Sequence, residues 1–133
     1  MTQELSSVDS YVAAHPTYKG FFAVDGGSTQ SIGQAIQKHG LKGKVAGGGY
    51  DLTPVTQQTL AAGYLNFTID QQPYLQGFFP ILELYLYNVT QKLTGTADVN
   101  TGLKFLDQTT VGTYNSTKSR YEGTGTSVGV QKS

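Results

Sequence analysis

The period of the apolar positions changes several times along this chain, and each change marks an element. From Gln3 to Ala14, the residues Leu5, Val8 and Val12, with Tyr11 beside them, recur at spacings of three and four, which predicts an amphipathic helix. Thr2 or Ser6 can cap it, and His15-Pro16 ends it, because the residue before a proline is driven out of the helical region. Gly20 to Val24 (GFFAV) is apolar without alternation, the pattern of a strand buried on both faces. Asp25-Gly26-Gly27-Ser28-Thr29 reads as the turn at its end. A helix from Thr29 to His39 follows, with Ser28 as its N-cap, Ile32, Ala35 and Ile36 inward, and Gly40 as its stop. Lys44 to Gly48 is the next strand. Thr53 then caps a helix whose first turn accepts Pro54, and which runs to Ala62 with Gly63 beyond. Leu65 to Ile69 is a third strand, Tyr74 to Leu93 a long helix with Gly95 past its end, and Gly102 to Thr110 a last strand.

Helices alternating with strands predict an α/β protein with a parallel, doubly wound, three-layer sheet of the flavodoxin-like kind. The chain opens on a helix where such a domain ordinarily opens on a strand, so one side of the sheet is expected to lack a pairing partner. At 133 residues the chain is one domain or part of one. The Ser-, Thr- and Gly-rich stretch from Gly112 onward is expected to be an irregular, flexible tail.

Charge and composition narrow the partners. Nine basic and nine acidic side chains cancel, so there is no basic field to attract nucleic acid. Charged residues make up only 14% of the chain; Gly, Thr, Ser, Gln and Tyr fill the surface, a profile suited to polar neutral ligands. With no cysteine there is no disulfide, thiolate chemistry or thiolate zinc site. The first residues lack the basic and apolar regions of a signal peptide, so the chain as it stands is expected to remain where it is made. Its most apolar segment, Phe78 to Val89, is interrupted by Pro80 and Glu83.

The candidate chemistry lies where strands run out. Asp25, Asp51 and Gln71 each follow a different strand, and parallel neighbours bring those ends to one rim, where open α/β sheets bind ligands. Two carboxylates and an amide can hold vicinal hydroxyls, because a carboxylate accepts several hydrogen bonds and an amide both donates and accepts. Asp25 and Asp51 are equally open to a second reading as turn caps. Glycoside hydrolysis needs one carboxyl desolvated, and glycines flank these. A metal set from Asp25, Asp51 and Asp70 is disfavoured because alternate strand residues face opposite ways and the histidines lie elsewhere. No cofactor motif appears: neither Gly26-Gly27-Ser28-Thr29 nor Gly47-Gly48-Gly49 forms a GxGxxG or a P-loop, and both are expected to let the backbone turn tightly at the rim. No GxSxG or serine–histidine pairing supplies a nucleophile, so no enzyme activity is predicted.

The ordered series AAHPTYKGFFAVDGGSTQSIGQAIQKHG, KVAGGGYDLTP, LAAGYLNFTIDQQPYLQG and LKFLDQTTV resembles the C-terminal part of the type I periplasmic sugar-binding proteins, the ribose-binding-like solute receptors of ABC importers. The resemblance covers residues 8 to 111. It implies a truncated chain: residues 1–72 as a segment of the C-terminal lobe, 73–111 as hinge, long helix and returning strand, and 112–133 as tail. It implies binding of a simple sugar through Asp25, Asp51 and Gln71, a hinge at Gln72 and Pro73, and an ABC permease as partner of a periplasmic or extracellular full-length parent. The signal peptide, the N-terminal lobe and two strands would be missing, leaving the site incomplete. The Tyr74–Leu93 helix would then expose Phe78, Phe79, Leu82, Tyr85, Leu86 and Val89, and Gly20–Val24 would be a bare edge, so self-association through residues 74–93 is expected. The alternatives are a small flavodoxin-like enzyme and a half-domain acting as a protein-interaction module.

Overall fold

The computed structural model describes residues 3–92 and 99–114. Their order is α1 (Gln3–Ala14), β1 (Gly20–Phe22), α2 (Gly26–Lys38), β2 (Ala46–Tyr50), α3 (Pro54–Ala61), β3 (Phe67–Asp70), α4 (Pro73–Thr90) and β4 (Lys104–Leu106). The eight elements are those the periodicity predicts. The expected end of the long helix at Leu93 and residues 115–133 of the expected tail lie outside the described residues, while residues 112–114, expected to be irregular, are helical, the Tyr114 N–H donating to Thr110 O at 2.9 Å.

The sheet order is β1-β2-β3-β4. β1, β2 and β3 are parallel, with Phe22 opposite Gly48 and Gly48 opposite Phe67. β4 is antiparallel to β3, pairing Phe105 with Ile69, so the sheet is mixed, not wholly parallel as expected. The reason is α4: it buries no residue and does not return across the sheet as a crossover helix does, so the chain re-enters at the end where it left. The last strand is also shorter than expected. The Asp107 carboxylate accepts the backbone N–H groups of Thr109 and Thr110, at 2.9 and 3.0 Å, and this turn ends pairing after Leu106.

The core lies between one sheet face and α1, α2 and α3. Val12, Ala35, Ile36, Leu60 and Leu106 are its most enclosed members, with Leu65, Ile32 and Phe21 against them. Burying a side chain such as Ile36 or Leu60 stabilises by about 1.5–3 kcal/mol. The opposite sheet face carries a row of rings: Phe22 stacks on Phe67 with centroids 5.8 Å apart, and Phe67 on Phe105 at 4.9 Å. Phe22 is 62% exposed and Val24 87%, so the expectation that Gly20–Val24 is buried on both faces fails. Continuous apolar runs do signal two-sided burial, but no helix of the described residues packs over this side.

The second glycine run also departs from expectation. Gly47, Gly48 and Gly49 lie inside β2 and not in a turn, and none has a positive φ. They are small because neighbours press on both faces. A Cβ on Gly47 would sit 2.6 Å from Ile36 Cδ1, and one on Gly48 would sit 2.5 Å from the Phe67 ring.

α1 is tied to α2 at both ends. Ser28 Oγ donates to Glu4 Oε1 at 2.7 Å, and Lys38 and His39 reach the Asp9 carboxylate at 2.6 and 2.8 Å. α4 stands apart, with Phe78, Ile81, Tyr85 and Val89 each about half exposed or more. No helix among the described residues is long and apolar enough to cross a membrane.

Candidate functional site

The C-terminal ends of β1, β2 and β3 share one rim because the three strands are parallel. Asp25 lies two residues past the alanine whose N–H still bonds to Gly48. It is the N-cap of α2: its Oδ1 accepts the Ser28 N–H at 2.9 Å. Ser28, expected to be the cap, is instead three residues into the helix. α2 therefore starts at Gly26, three residues earlier than expected, because the first carboxylate of the turn satisfies the helix's open amides before Ser28 can. That hydrogen bond, led by the Ser28 N–H and opposed by burial, holds the Asp25 carboxyl below its ordinary value.

Asp51 follows β2 with φ +68°, in the left-handed region that aspartate tolerates better than most residues. Its N–H donates to Ile69 O at 2.8 Å, and its carbonyl accepts Thr68 Oγ1 at 2.6 Å, so the turn is stitched to β3. Its carboxylate lies against the start of α2: a Cβ on Gly26 would be 3.0 Å from Asp51 Oδ2. This close approach is what Gly26 permits. Thr29, wholly buried, holds α2 against β2 by donating to Asp25 O at 2.6 Å and accepting the Tyr50 N–H at 2.9 Å.

Gln71 closes the set. Its Nε2 donates to Asp51 Oδ1 at 2.8 Å. The structure thus joins Asp51 and Gln71 directly and sets Asp25 on the neighbouring strand end with its carboxylate turned to its own helix. Asp51 keeps Oδ2 and further lone pairs on Oδ1 as acceptors, and the Gln71 amide offers a second N–H and a carbonyl. Such a pair can accept and donate to adjacent hydroxyls at once.

Gln72 and Pro73, the expected hinge, open α4. Gln72 has φ +61° and ψ +53° and makes no side-chain cap bond. Its N–H donates to Asp70 Oδ1 at 3.1 Å. The other oxygen of Asp70 accepts the Tyr114 hydroxyl at 2.6 Å, and Tyr114 Oη accepts Gln72 Nε2 at 2.9 Å. Asp70 is 2% exposed. The contribution of Thr29 could have been suspected from its place in the turn, but Tyr114 carries no local signal, being 44 residues from the carboxylate it meets. Among the described residues no group of three or more His, Cys, Asp or Glu side chains could hold a metal ion.

This rim on a three-stranded parallel core is the architecture of a known family of solute receptors. Residues 2–88 match the periplasmic binding protein domain, and the chain belongs to that family. It is 47% identical over 131 residues to the xylose/arabinose-binding protein XylF of Sulfolobus acidocaldarius, covering 95% of this chain and 32% of that protein. Among solved structures, a carbohydrate transporter solute binding protein from Agrobacterium radiobacter in complex with D-arabinose superposes with a TM-score of 0.72 at 28% identity, over 81% of this chain and 36% of the other. An ABC transporter periplasmic solute binding protein from Actinobacillus succinogenes with bound D-allose gives 0.71 at 26% identity, over 84% and 39%. The chain thus spans about a third of the length of these relatives. By name the first binds xylose and arabinose, and the two solved structures are transporter solute binding proteins holding a sugar.

Proposed function

We propose that this chain forms one wall of the monosaccharide cleft of a solute receptor that delivers its sugar to an ABC permease outside the cytoplasmic membrane, and that it performs no catalysis. The observation that carries the reading is the Asp51–Gln71 hydrogen bond at the strand rim, an acceptor and an amide already facing one another at 2.8 Å. A sugar would take the place of that mutual contact, its vicinal hydroxyls donating to Asp51 and bonding to Gln71, with Asp25 beside them. Residues 1–72 are then the lobe segment, 73–111 the hinge with Gln72 and Pro73, the long helix and the returning strand, and 112–133 the tail. Sugar closes such two-lobed receptors about a hinge. The ligand class is a neutral polyol, and the nearness of XylF makes pentoses the first candidates.

Isothermal titration with a panel of pentoses and hexoses tests this, on the chain itself and on a chimera in which a relative's remaining sequence completes both lobes. The completed form is expected to bind a monosaccharide and the short chain to bind far more weakly. A completed form that takes up no sugar counts against the reading.

A second reading is favoured by α4. It buries no residue and presents Phe78, Leu82, Tyr85 and Val89 at helical spacing, an apolar surface that soluble monomers avoid. By itself the chain would then self-associate through residues 74–93, and β1 would be an open edge.

A further inference from the structure

The buried Asp70 is a carboxyl group that the sugar contacts do not use, and its partners are unusual in reach. It takes the backbone N–H of Gln72 on one oxygen and the hydroxyl of Tyr114 on the other. The directions of these bonds follow from chemistry. The Tyr114 hydroxyl donates its hydrogen bond to the Asp70 carboxyl oxygen. The phenol oxygen is then left to accept, which it does from Gln72 Nε2. Gln72 is therefore gripped at its backbone and at the tip of its side chain by one two-residue unit. It also stands in an improbable conformation: left-handed, not glycine, and directly before Pro73, where extended backbone is preferred.

We infer that Tyr114, through Asp70, is a latch that holds Gln72 left-handed and thereby positions Gln71 for the ligand. Gln71 is the residue between the two gripped ones. With Asp70 and Gln72 held, the backbone of Gln71 is fixed on both sides, and its side chain reaches Asp51 Oδ1. Its carbonyl is held as well, accepting Gln76 Nε2 at 2.7 Å from the first turn of α4. The latch therefore sets two things together: the amide that meets the ligand and the angle at which α4 departs. Tyr114 is a positioning residue in this account and touches no ligand. The role in binding rests on the sugar reading above; the latch does not.

Two substitutions in the full 133-residue chain test the latch. Tyr114→Phe keeps the ring, which packs beside the core, and removes only the hydroxyl. Asp70→Asn keeps the shape and places an N–H₂ where an acceptor is needed. In either variant the Gln72 amide should exchange with deuterium about tenfold faster, the change expected for the loss of one hydrogen bond's net stabilisation. The Gln71 side-chain amide resonances should move, while the helical amides of Ile36 and Leu60 exchange as before. Unchanged Gln72 exchange and Gln71 resonances in both variants overturn the latch, whatever sugar does. In the two-lobed chimera, Tyr114→Phe should weaken sugar binding several-fold. Unchanged affinity beside faster Gln72 exchange overturns the positioning role and leaves the sugar reading standing. A chimera that binds no sugar with or without Tyr114 instead refutes the sugar reading, and with it the role in binding.

Discussion

Asp25 and Asp51 follow neighbouring strands and do different work. Asp25 spends its carboxylate on the N–H of Ser28, and Asp51 keeps its carboxylate on the open rim beside Gln71. Replacing Asp51 with alanine in the two-lobed form should therefore weaken sugar binding by about 1.5–3 kcal/mol, the range for hydrogen bonds to a charged group, as read by titration calorimetry. Asp25 should show itself in stability. Its folded-state carboxyl titrates below the ordinary 3.8 of the unfolded chain. The stabilisation is then complete above that unfolded value and is lost as pH falls through the lower folded one. Asparagine caps about as well but does not titrate, so the chain should match Asp25→Asn near neutral pH and fall below it in acid, measured by urea midpoints from about pH 2 to about pH 6. Asp25→Ala removes the cap altogether and should cost about 1 kcal/mol at neutral pH.

The elements take their places through close approaches that side chains cannot share. β2 is the tightest of them. A Cβ at Gly49 would lie 2.9 Å from the Ala23 carbonyl, a backbone atom that cannot swing aside, and would press on Thr29 as well. Gly49→Ala is expected to lose about 1–3 kcal/mol by overpacking, checked by chemical denaturation. Its effect should reach the rim, because Thr29 joins α2 to Tyr50 one residue before Asp51. Helices and strands were legible in the sequence because apolar spacing reports directly on period, and the bounds of α1 match it residue for residue. The glycine run was not legible in the same way: Gly-Gly-Gly is equally compatible with a turn, and only the Ile36 and Phe67 side chains above and below it show why no Cβ fits. The start of α2 moved for a related reason, since a capping carboxylate and a capping hydroxyl three residues apart compete and the sequence does not rank them.

For the whole molecule, two apolar surfaces on one small chain are decisive: the Phe22–Phe67–Phe105 row and the length of α4. Sedimentation of the chain by itself should give a mass that rises with concentration. Replacing Tyr85 and Val89 together with lysine should shift it toward monomer without lowering the stability of the core, because neither side chain is buried. A mass that stays monomeric at every concentration sinks the self-association reading.

Local spacing and motifs in fixed succession are enough to specify the elements, their order, the residues at the three strand ends and the family. Long-range contacts set the rest: β4 runs antiparallel, no helix among the described residues covers one sheet face, Asp51 faces Gln71 and Tyr114 closes on Asp70. Those four depend on contacts between residues far apart in the chain, where no periodicity acts, and they are settled by which surfaces find a partner and which do not.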